Sequence, residues 1–344
     1  MKKYLIIILL CSSALIMAQN NDVDSNGKFS GEMIGDYYHN IDNHDAAIKD
    51  QNGFWFRRIY FAYDYKIDSD FSTRLRLEMS NEGKYSSSLA MTPVVKDAYL
   101  AYKFGKQKAY LGISGTPTFG VIESVWGYRA IEKNALDLQK MASSRDFGLS
   151  LKGQFDSEGQ LQYHAMIANG ASNKEEMDKG KSIMASVAFW PTNEIVFEVY
   201  GDYVGNSGKS DTYINQAFVG YKTKDLHGGL QFARQTILAA DDNSSDANLN
   251  ILSAFMSGSL SESVKLIGRV DKMFDVNPSG NKVAYTPFDN SASFTEFIVA
   301  VDYKVAKDVS IIPNVEFVKY DENNNGVTPT NDIYGKLTVH WKFK

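Results

Sequence analysis

The last twelve residues of the chain alternate between apolar and polar side chains. The apolar set is Phe343, Trp341, Val339, Leu337, Gly335 and Ile333, and the polar set is Lys342, His340, Thr338, Lys336 and Tyr334. A repeat of two residues is typical of a β-strand whose two faces meet different surroundings. In hydrocarbon no strand edge can keep unpaired N–H and C=O groups. We therefore expect this strand to close a barrel by pairing with the first strand.

The same alternation recurs along most of the chain, and no helical pattern is present that could cover the apolar faces. In the segment from Phe71 to Met79, for example, Arg74, Arg76 and Glu78 share the polar face. We predict sixteen such strands. They begin near Phe29, Phe54, Phe71, Val94, Lys108, Asp146, Leu161, Ser182, Glu194, Thr212, Gly228, Leu249, Val264, Phe294, Val309 and Ile333.

The connections between these strands alternate between short and long. Those after the even-numbered strands are tight, such as Gly105-Lys106-Gln107 and Pro191-Thr192-Asn193, whereas those in between are long and polar, such as 39–52 and 275–293. Short periplasmic turns and long extracellular loops sort in this way in outer-membrane barrels. A barrel of about 16 strands leaves an aqueous channel. The fold class is therefore all-β, a transmembrane antiparallel β-barrel, and the function expected by default is that of a channel.

The first eighteen residues have the order of a secretory signal peptide. Lys2 and Lys3 precede an apolar run, and small residues lead to a cleavage site after Ala18. We expect residues 1–18 to be removed and 19–344 to form an outer-membrane barrel in a Gram-negative bacterium. Removal takes away Cys11, the only cysteine, and so excludes disulfides and a thiolate nucleophile. Without the two lysines of the signal peptide, the formal charge changes from -5 to -7. An acidic chain without a block of lysines and arginines does not have the basic patch that nucleic-acid binding requires.

The longest connection, 117–144, is the third long loop and differs from the others in carrying many apolar residues. Such residues must pack against protein, and ordered loops of this length are usually functional. We expect the loop to fold into the lumen and narrow it, with a short helix between Ile131 and Met141. The alternative is a cap over the outer rim or against a neighbouring subunit. The predicted constriction residues are Glu123, Trp126, Arg129, Glu132 and Lys133.

Charged side chains on the polar faces are the candidate pore lining, because rings of charge select ions by sign. The predicted pore-lining residues are Arg58, Arg74, Arg76, Glu78, Asp97, Lys152, Lys265 and Arg269. Lys336 and the acids Glu198, Asp202, Asp271, Glu296, Asp302 and Glu316 are expected on the same face. Neither sign prevails in this set. Adjacent opposite charges can equally brace the barrel wall.

Three short stretches carry a resemblance to a known family. Gly53–Tyr60, Val95–Leu100 and Ser144–Gly148 resemble segments of the phosphate-selective porin O and P family. The resemblance implies a trimeric porin of 16 strands with an inward third loop, and members that carry phosphate line the pore with arginine and lysine. This chain departs from that pattern in being acidic and in lacking an arginine ladder that can be matched residue by residue.

The predicted function is diffusion of small hydrophilic solutes or ions, phosphate or other anions included. The expected partners are outer-membrane lipid, the barrel assembly machinery and two further copies of the chain in a homotrimer. The alternatives are a substrate-specific uptake channel and a barrel enzyme. No Gly-x-Ser-x-Gly or His-Glu-x-x-His motif is present, and we assign no catalytic residue, cofactor or metal. The acidic stretches 241–243 and 321–326 could bind Ca²⁺, although solvated loop tips explain them equally.

Overall fold

Sixteen antiparallel strands form one closed barrel in which each strand pairs with its neighbours in sequence. The structure is a computed structural model that describes residues 26–85, 90–175, 179–206, 210–240 and 244–344. The strands are β1 Gly27–Asp42, β2 Asn52–Lys66, β3 Phe71–Ser80, β4 Thr92–Phe104, β5 Gln107–Gly115, β6 Arg145–Gln154, β7 Leu161–Ala168, β8 Ser182–Phe189, β9 Ile195–Val204, β10 Thr212–Lys222, β11 Leu226–Ile237, β12 Ala247–Ser259, β13 Val264–Met273, β14 Phe294–Ala306, β15 Val309–Tyr320 and β16 Asp332–Phe343.

The closure between the first and the last strand is as predicted. β16 pairs with β1 from Gly31 opposite Phe343 to His39 opposite Gly335, so neither strand is left with an open edge. All sixteen predicted strands are present, and each begins within two residues of its predicted start. The predicted barrel of 16 strands is confirmed.

The outward face of the barrel is an apolar belt. Along β8, Ile183 and Val187 are 59% and 37% exposed, whereas the alternating Met184 and Ser186 are buried. Leu75 and Leu149, on the predicted outward faces of β3 and β6, are 49% and 57% exposed. Such large apolar side chains lie open to the surroundings because those surroundings are lipid.

The long connection between β5 and β6 contains two helices, α1 Gly120–Trp126 and α2 Ala135–Leu138. The predicted helix between Ile131 and Met141 is reduced to α2, because Asn134 caps it at one end and Lys140 adopts a left-handed conformation (φ 57°) just after it. α1 was not predicted. It ends at Gly127, whose φ of 70° favours glycine. A short 3₁₀ helix, Gly280–Lys282, lies in the connection between β13 and β14.

Two predictions concern residues outside the described ranges. These are the signal peptide, residues 1–18, and the acidic stretch 241–243. Within the described ranges, no helix is both long enough and apolar enough to cross a membrane.

The outward position of Leu149 predicts a large effect of charge at this site. An arginine facing hydrocarbon costs about 2–4 kcal/mol near the bilayer midplane. Leu149→Arg should therefore lower the free energy of unfolding in lipid vesicles by about that amount, whereas the matched apolar change Leu149→Phe should leave it within about 1 kcal/mol of wild type. Urea titration of the folded protein in vesicles measures both values. Equal stabilities would contradict a lipid-facing Leu149.

Candidate functional site

A β-bulge between β1 and β2 places two consecutive arginines on the inner face. Ile34 pairs with Arg58 and Gly35 pairs with Phe56, so Arg57 is an extra residue without a partner in the ladder. Regular alternation would turn Arg57 outward, whereas the bulge turns it inward. Its side chain is almost fully buried, and Phe56 is exposed on the outside.

A second bulge, between β3 and β4, does the same for a lysine. Arg76 pairs with Asp97 and Leu77 pairs with Val95, which leaves Lys96 as the extra residue. The Lys96 ammonium lies 2.7 Å from a carboxylate oxygen of Glu78 on the inner face. Counting alternate residues misses both Arg57 and Lys96. The signal that could have found them is two adjacent charges within a strand, because a charge facing lipid is costly.

The second bulge completes a group that we call the basic wall cluster. It consists of Arg58, Arg76, Glu78, Lys96, Asp97 and Arg145. Each carboxylate is shared by two cations. Glu78 lies 3.3 Å from Arg58 and 2.7 Å from Lys96. Asp97 lies 2.7 Å from Arg76 and 2.5 Å from Arg145. Four cations therefore face two carboxylates, and the cluster carries two excess positive charges.

Further along the same wall, two lysines stand directly opposite each other. Lys108 on β5 pairs with Lys152 on β6, and both ammonium groups lie over the ring of Tyr110, at 5.2 and 5.4 Å from its centroid. Among the described residues neither lysine has an ion-pair partner, and like charges in this arrangement repel. Lys152, Lys108 and Lys106 line a cavity of about 440 Å³ together with Gln162, His164 and Glu198. Arg74, by contrast, is neutralised by two hydrogen bonds to Asp64.

The opposite wall, formed by β13 to β16, carries charged side chains that are buried within the protein. Arg269, Asp271, Glu296, Glu316 and Lys336 are all at most 5% exposed. Lys336 lies 2.6 Å from Glu316, and Arg269 donates to Asp271. The predicted pore residue Arg269 is thus enclosed rather than open to water. Lys265 lines a separate cavity of about 270 Å³ with His227, Asp302 and His340 among its other residues.

The connection between β5 and β6, residues 116–144, covers this wall, and we call it loop 3. Its apolar residues are almost fully buried: Phe119, Ile122, Val125, Trp126, Ile131, Leu136 and Leu138. α1 packs on β10 and β11, and the ring of Trp126 lies 5.1 Å from that of Phe255 on β12. Wall glutamines also bind loop 3. Gln216 donates to the Thr118 carbonyl at 3.2 Å, and Asn134 donates to Gln231 at 3.0 Å.

The charges of loop 3 largely neutralise one another. Arg129 donates to Glu123 at 2.6 Å and to Asp137 at 3.0 Å, while Lys133 lies 3.9 Å from Asp137. Burial alone would favour the neutral acid, but the positive charges of Arg129 and Lys133 lower the pKa of Asp137 below its usual range. Glu132, the remaining predicted constriction acid, lies 3.7 Å from Arg57 and 4.0 Å from Lys336.

The acidic loop tip that begins at Asp321 has partners within the protein. Asp321 is 2.5 Å from Lys272 and accepts a hydrogen bond from Ser293 at 2.6 Å. Across the described ranges, no group of three or more His, Cys, Asp or Glu side chains is arranged to hold a metal ion.

A closed barrel of 16 strands with an apolar outer belt and a charged interior defines a porin, a channel of the outer membrane. The family model for phosphate-selective porin O and P matches residues 28–206, which is just over half of the chain. The chain belongs to this family. It is an outer-membrane channel for small solutes or ions.

Solved porin structures share this fold at low sequence identity. An anion-selective porin from Comamonas acidovorans is 10% identical, with a TM-score of 0.62 over 92% of this chain and 99% of that one. OmpF of Salmonella typhi, in complex with daunomycin, is 12% identical, with a TM-score of 0.64 over 92% and 97%. The outer membrane channel DcaP of Acinetobacter baumannii is 10% identical, with a TM-score of 0.63 over 92% and 97%. A search of curated protein sequences finds no match to the chain.

Because Asp97 is shared by two arginines, its replacement should lower the free energy of unfolding more than replacement of Asp64. Asp97 is 4% exposed and bound by two arginines, whereas Asp64 is 39% exposed and, among the described residues, forms an ion pair with Arg74 alone. Asp97→Asn should lower the free energy of unfolding by about 2–3 kcal/mol, because it leaves two half-buried arginines facing each other. The control Asp64→Asn should cost at most about 1 kcal/mol. Urea titration compares the two, and equal losses would argue against the cluster.

Proposed function

We propose that this porin passes small anionic solutes, phosphate among them, through a lumen that loop 3 narrows from inside. The observation that carries this proposal is the charge of the wall formed by β2 to β6. There the basic wall cluster has two excess positive charges. Lys108 and Lys152 lack an ion-pair partner among the described residues, and the cavity that they line with Lys106 contains one carboxylate, that of Glu198. Unbalanced charge along a pore selects ions of the opposite sign.

The position of loop 3 inside the lumen is supported by its contacts. Gln216 and Gln231, which bind it, alternate with the exposed residues of the apolar belt and so face inward. Gln235 likewise donates to the Met141 carbonyl at 2.8 Å. A cap over the outer rim would meet loops instead of side chains from the middle of strands. These partners therefore favour the inward arrangement over the cap.

The path left for water follows from the same contacts. The apolar clusters that contain loop 3 include residues of β7 to β16 and β1 but none of β2 to β6, so the free space lies mainly along β2 to β6. Two cavities flank the segment from Thr116 to Thr118. The one of about 440 Å³ is lined by three lysines, Lys152 among them, and by a single acid, Glu198. The one of about 580 Å³ is lined by equal numbers of lysines and aspartates: Lys96, Lys133, Lys140, Asp137, Asp146 and Asp202. The basic wall cluster borders this path, whereas the acids of the opposite wall are covered. The excess of acids in the whole chain therefore does not set the charge that a solute meets.

The shared carboxylates of the basic wall cluster favour the passage of an anionic solute over its tight binding. An arginine ladder without counter-charges would hold a phosphate tightly, since charge-assisted hydrogen bonds are strong. Here Glu78 and Asp97 compete with the solute for the same donors. The expected channel thus prefers anions without being restricted to phosphate.

The biogenesis and assembly that we propose are those of an exported barrel. The signal peptide would be cleaved after Ala18, and the barrel assembly machinery would insert the chain into the outer-membrane lipid of a Gram-negative bacterium. The proposed assembly is a homotrimer. A structure of Vibrio cholerae OmpT that is 11% identical, with a TM-score of 0.62, is described as a trimer form of that protein.

Deleting residues 119–139 tests the position of loop 3. If the loop narrows the lumen, its removal should raise the single-channel conductance in a planar bilayer, because the free cross-section increases. The matched control is deletion of residues 323–328 in the exposed loop between β15 and β16, which should leave the conductance unchanged. An unchanged conductance in the first variant would place loop 3 outside the path.

The sign of selectivity is tested by the reversal potential in a salt gradient. Wild type should favour the anion, and the double change Lys108→Gln and Lys152→Gln should shift the potential toward zero because it removes two unpaired charges. The control Lys307→Gln alters an exposed lysine in the tight turn between β14 and β15 and should have no effect. A cation-selective wild type would refute the proposal.

A further inference from the structure

We propose that Arg57 is the positioning residue of the constriction: its guanidinium fixes the segment 130–133 of loop 3 and so sets the conductance of the channel. This inference rests on the proposed place of loop 3 inside the lumen. It concerns a residue that regular alternation would assign to the lipid face and that the bulge between β1 and β2 brings inside.

The hydrogen bonds of Arg57 explain why an arginine is needed. On the wall side it makes a forked contact with Asp36, with its Nε at 2.5 Å and its Nη2 at 3.1 Å from the two carboxylate oxygens. On the loop side its Nη1 donates to the Ile131 carbonyl and its Nη2 to the Ala130 carbonyl, both at 2.5 Å. A planar fork of five donors can bind both sides at once, whereas a lysine ammonium cannot.

The four consecutive carbonyl oxygens from 130 to 133 all accept from side chains. After the two held by Arg57, the Glu132 carbonyl accepts from the Trp126 indole at 3.0 Å, and the Lys133 carbonyl accepts from Arg269. This stretch lies between α1 and α2 and has no strand or helix to pair its backbone. Buried backbone groups need partners. Side chains from two walls therefore take the place of secondary structure here.

The two arginines hold the segment from different walls. Arg57 reaches it from β2 and Arg269 from β13, and Arg269 also lies 5.3 Å from the centroid of the Trp126 ring. Arg269 is itself fixed by Asp271, as Arg57 is by Asp36. Two guanidinium groups, each fixed by an aspartate, thus bind the segment from different sides of the barrel.

The position of this segment determines what the solute path meets. Arg129 directly precedes it and carries the ion pairs to Glu123 and Asp137. If Arg57 no longer donates to them, the carbonyl groups of Ala130 and Ile131 lose their partners. Arg129 and its ion-pair partners can then move relative to the basic wall cluster. Arg57 does not need to touch the solute to affect passage.

The decisive variant is Arg57→Lys, which keeps the charge beside Asp36 and Glu132 but removes the fork. Single-channel recordings should show substates of higher conductance, approaching that of the barrel lacking 119–139, with their dwell time raised roughly tenfold or more. The matched control is Arg234→Lys, an arginine on the exposed face that donates to Asn250, and it should record as wild type. Heat-modifiable migration on a gel checks that each variant is folded.

A second comparison separates this inference from the function on which it rests. In the barrel lacking 119–139, Arg57→Lys should add no further change, because the segment that it holds is gone. If that deletion itself leaves the conductance unchanged, the proposed position of loop 3 fails. If the deletion raises the conductance but Arg57→Lys in the full chain records as wild type, the positioning role is refuted and the porin proposal stands.

Hydrogen exchange in the wild type keeps the inference testable if Arg57→Lys does not fold. The amides of Ile131 and Glu132, which both donate to the Tyr128 carbonyl, should be protected within a peptide spanning 128–134. The exposed peptide 323–328 provides the comparison. Exchange of both peptides at the same rate would show that the segment is not held and would overturn the proposal.

Discussion

The pairing of every backbone donor and acceptor within the membrane is the constraint on which this structure depends. An antiparallel sheet in hydrocarbon is stable only when its last strand returns to its first, as β16 does along β1. Once the sheet is closed, alternation along each strand separates the residues that meet lipid from those that meet the lumen. The outer belt, the inner charges and the space between them all follow from this closure.

In the proposed arrangement, the interior is divided between a packed half and an open half. A barrel of 16 strands encloses more space than its own side chains fill, and the apolar residues of loop 3 pack against buried residues of β7 to β16 and β1. Burial then gives the charges of the two sides different roles. Under loop 3, Glu132 and Lys336 are held in ion pairs, whereas on the side of β2 to β6 Lys152 has no ion-pair partner among the described residues.

The strands and tight turns could be predicted from the sequence because they depend on local features, a repeat of two and short polar connections. The bulges could not, because they change the register by one residue within a strand whose composition is ordinary. As a result Arg57 and Lys96 are missing from the predicted pore lining. The net charge that faces the open lumen could not be predicted either. A count of all inward-facing charges gives equal weight to Arg76, on the open wall, and to Glu296, which is buried under loop 3. Only tertiary packing distinguishes the two.

The division of the lumen is tested most directly by the accessibility of single cysteines. Apart from Cys11, in the predicted signal peptide, the chain has no cysteine, so each introduced thiol reports alone. Gln162→Cys lies in the cavity beside Lys152, whereas Ser253→Cys replaces a buried inward residue of β12. With a small charged thiol reagent added during recording, Gln162→Cys should react and change the current stepwise, while Ser253→Cys should not react. Reaction of both at similar rates would contradict a lumen that is packed on one side and open on the other.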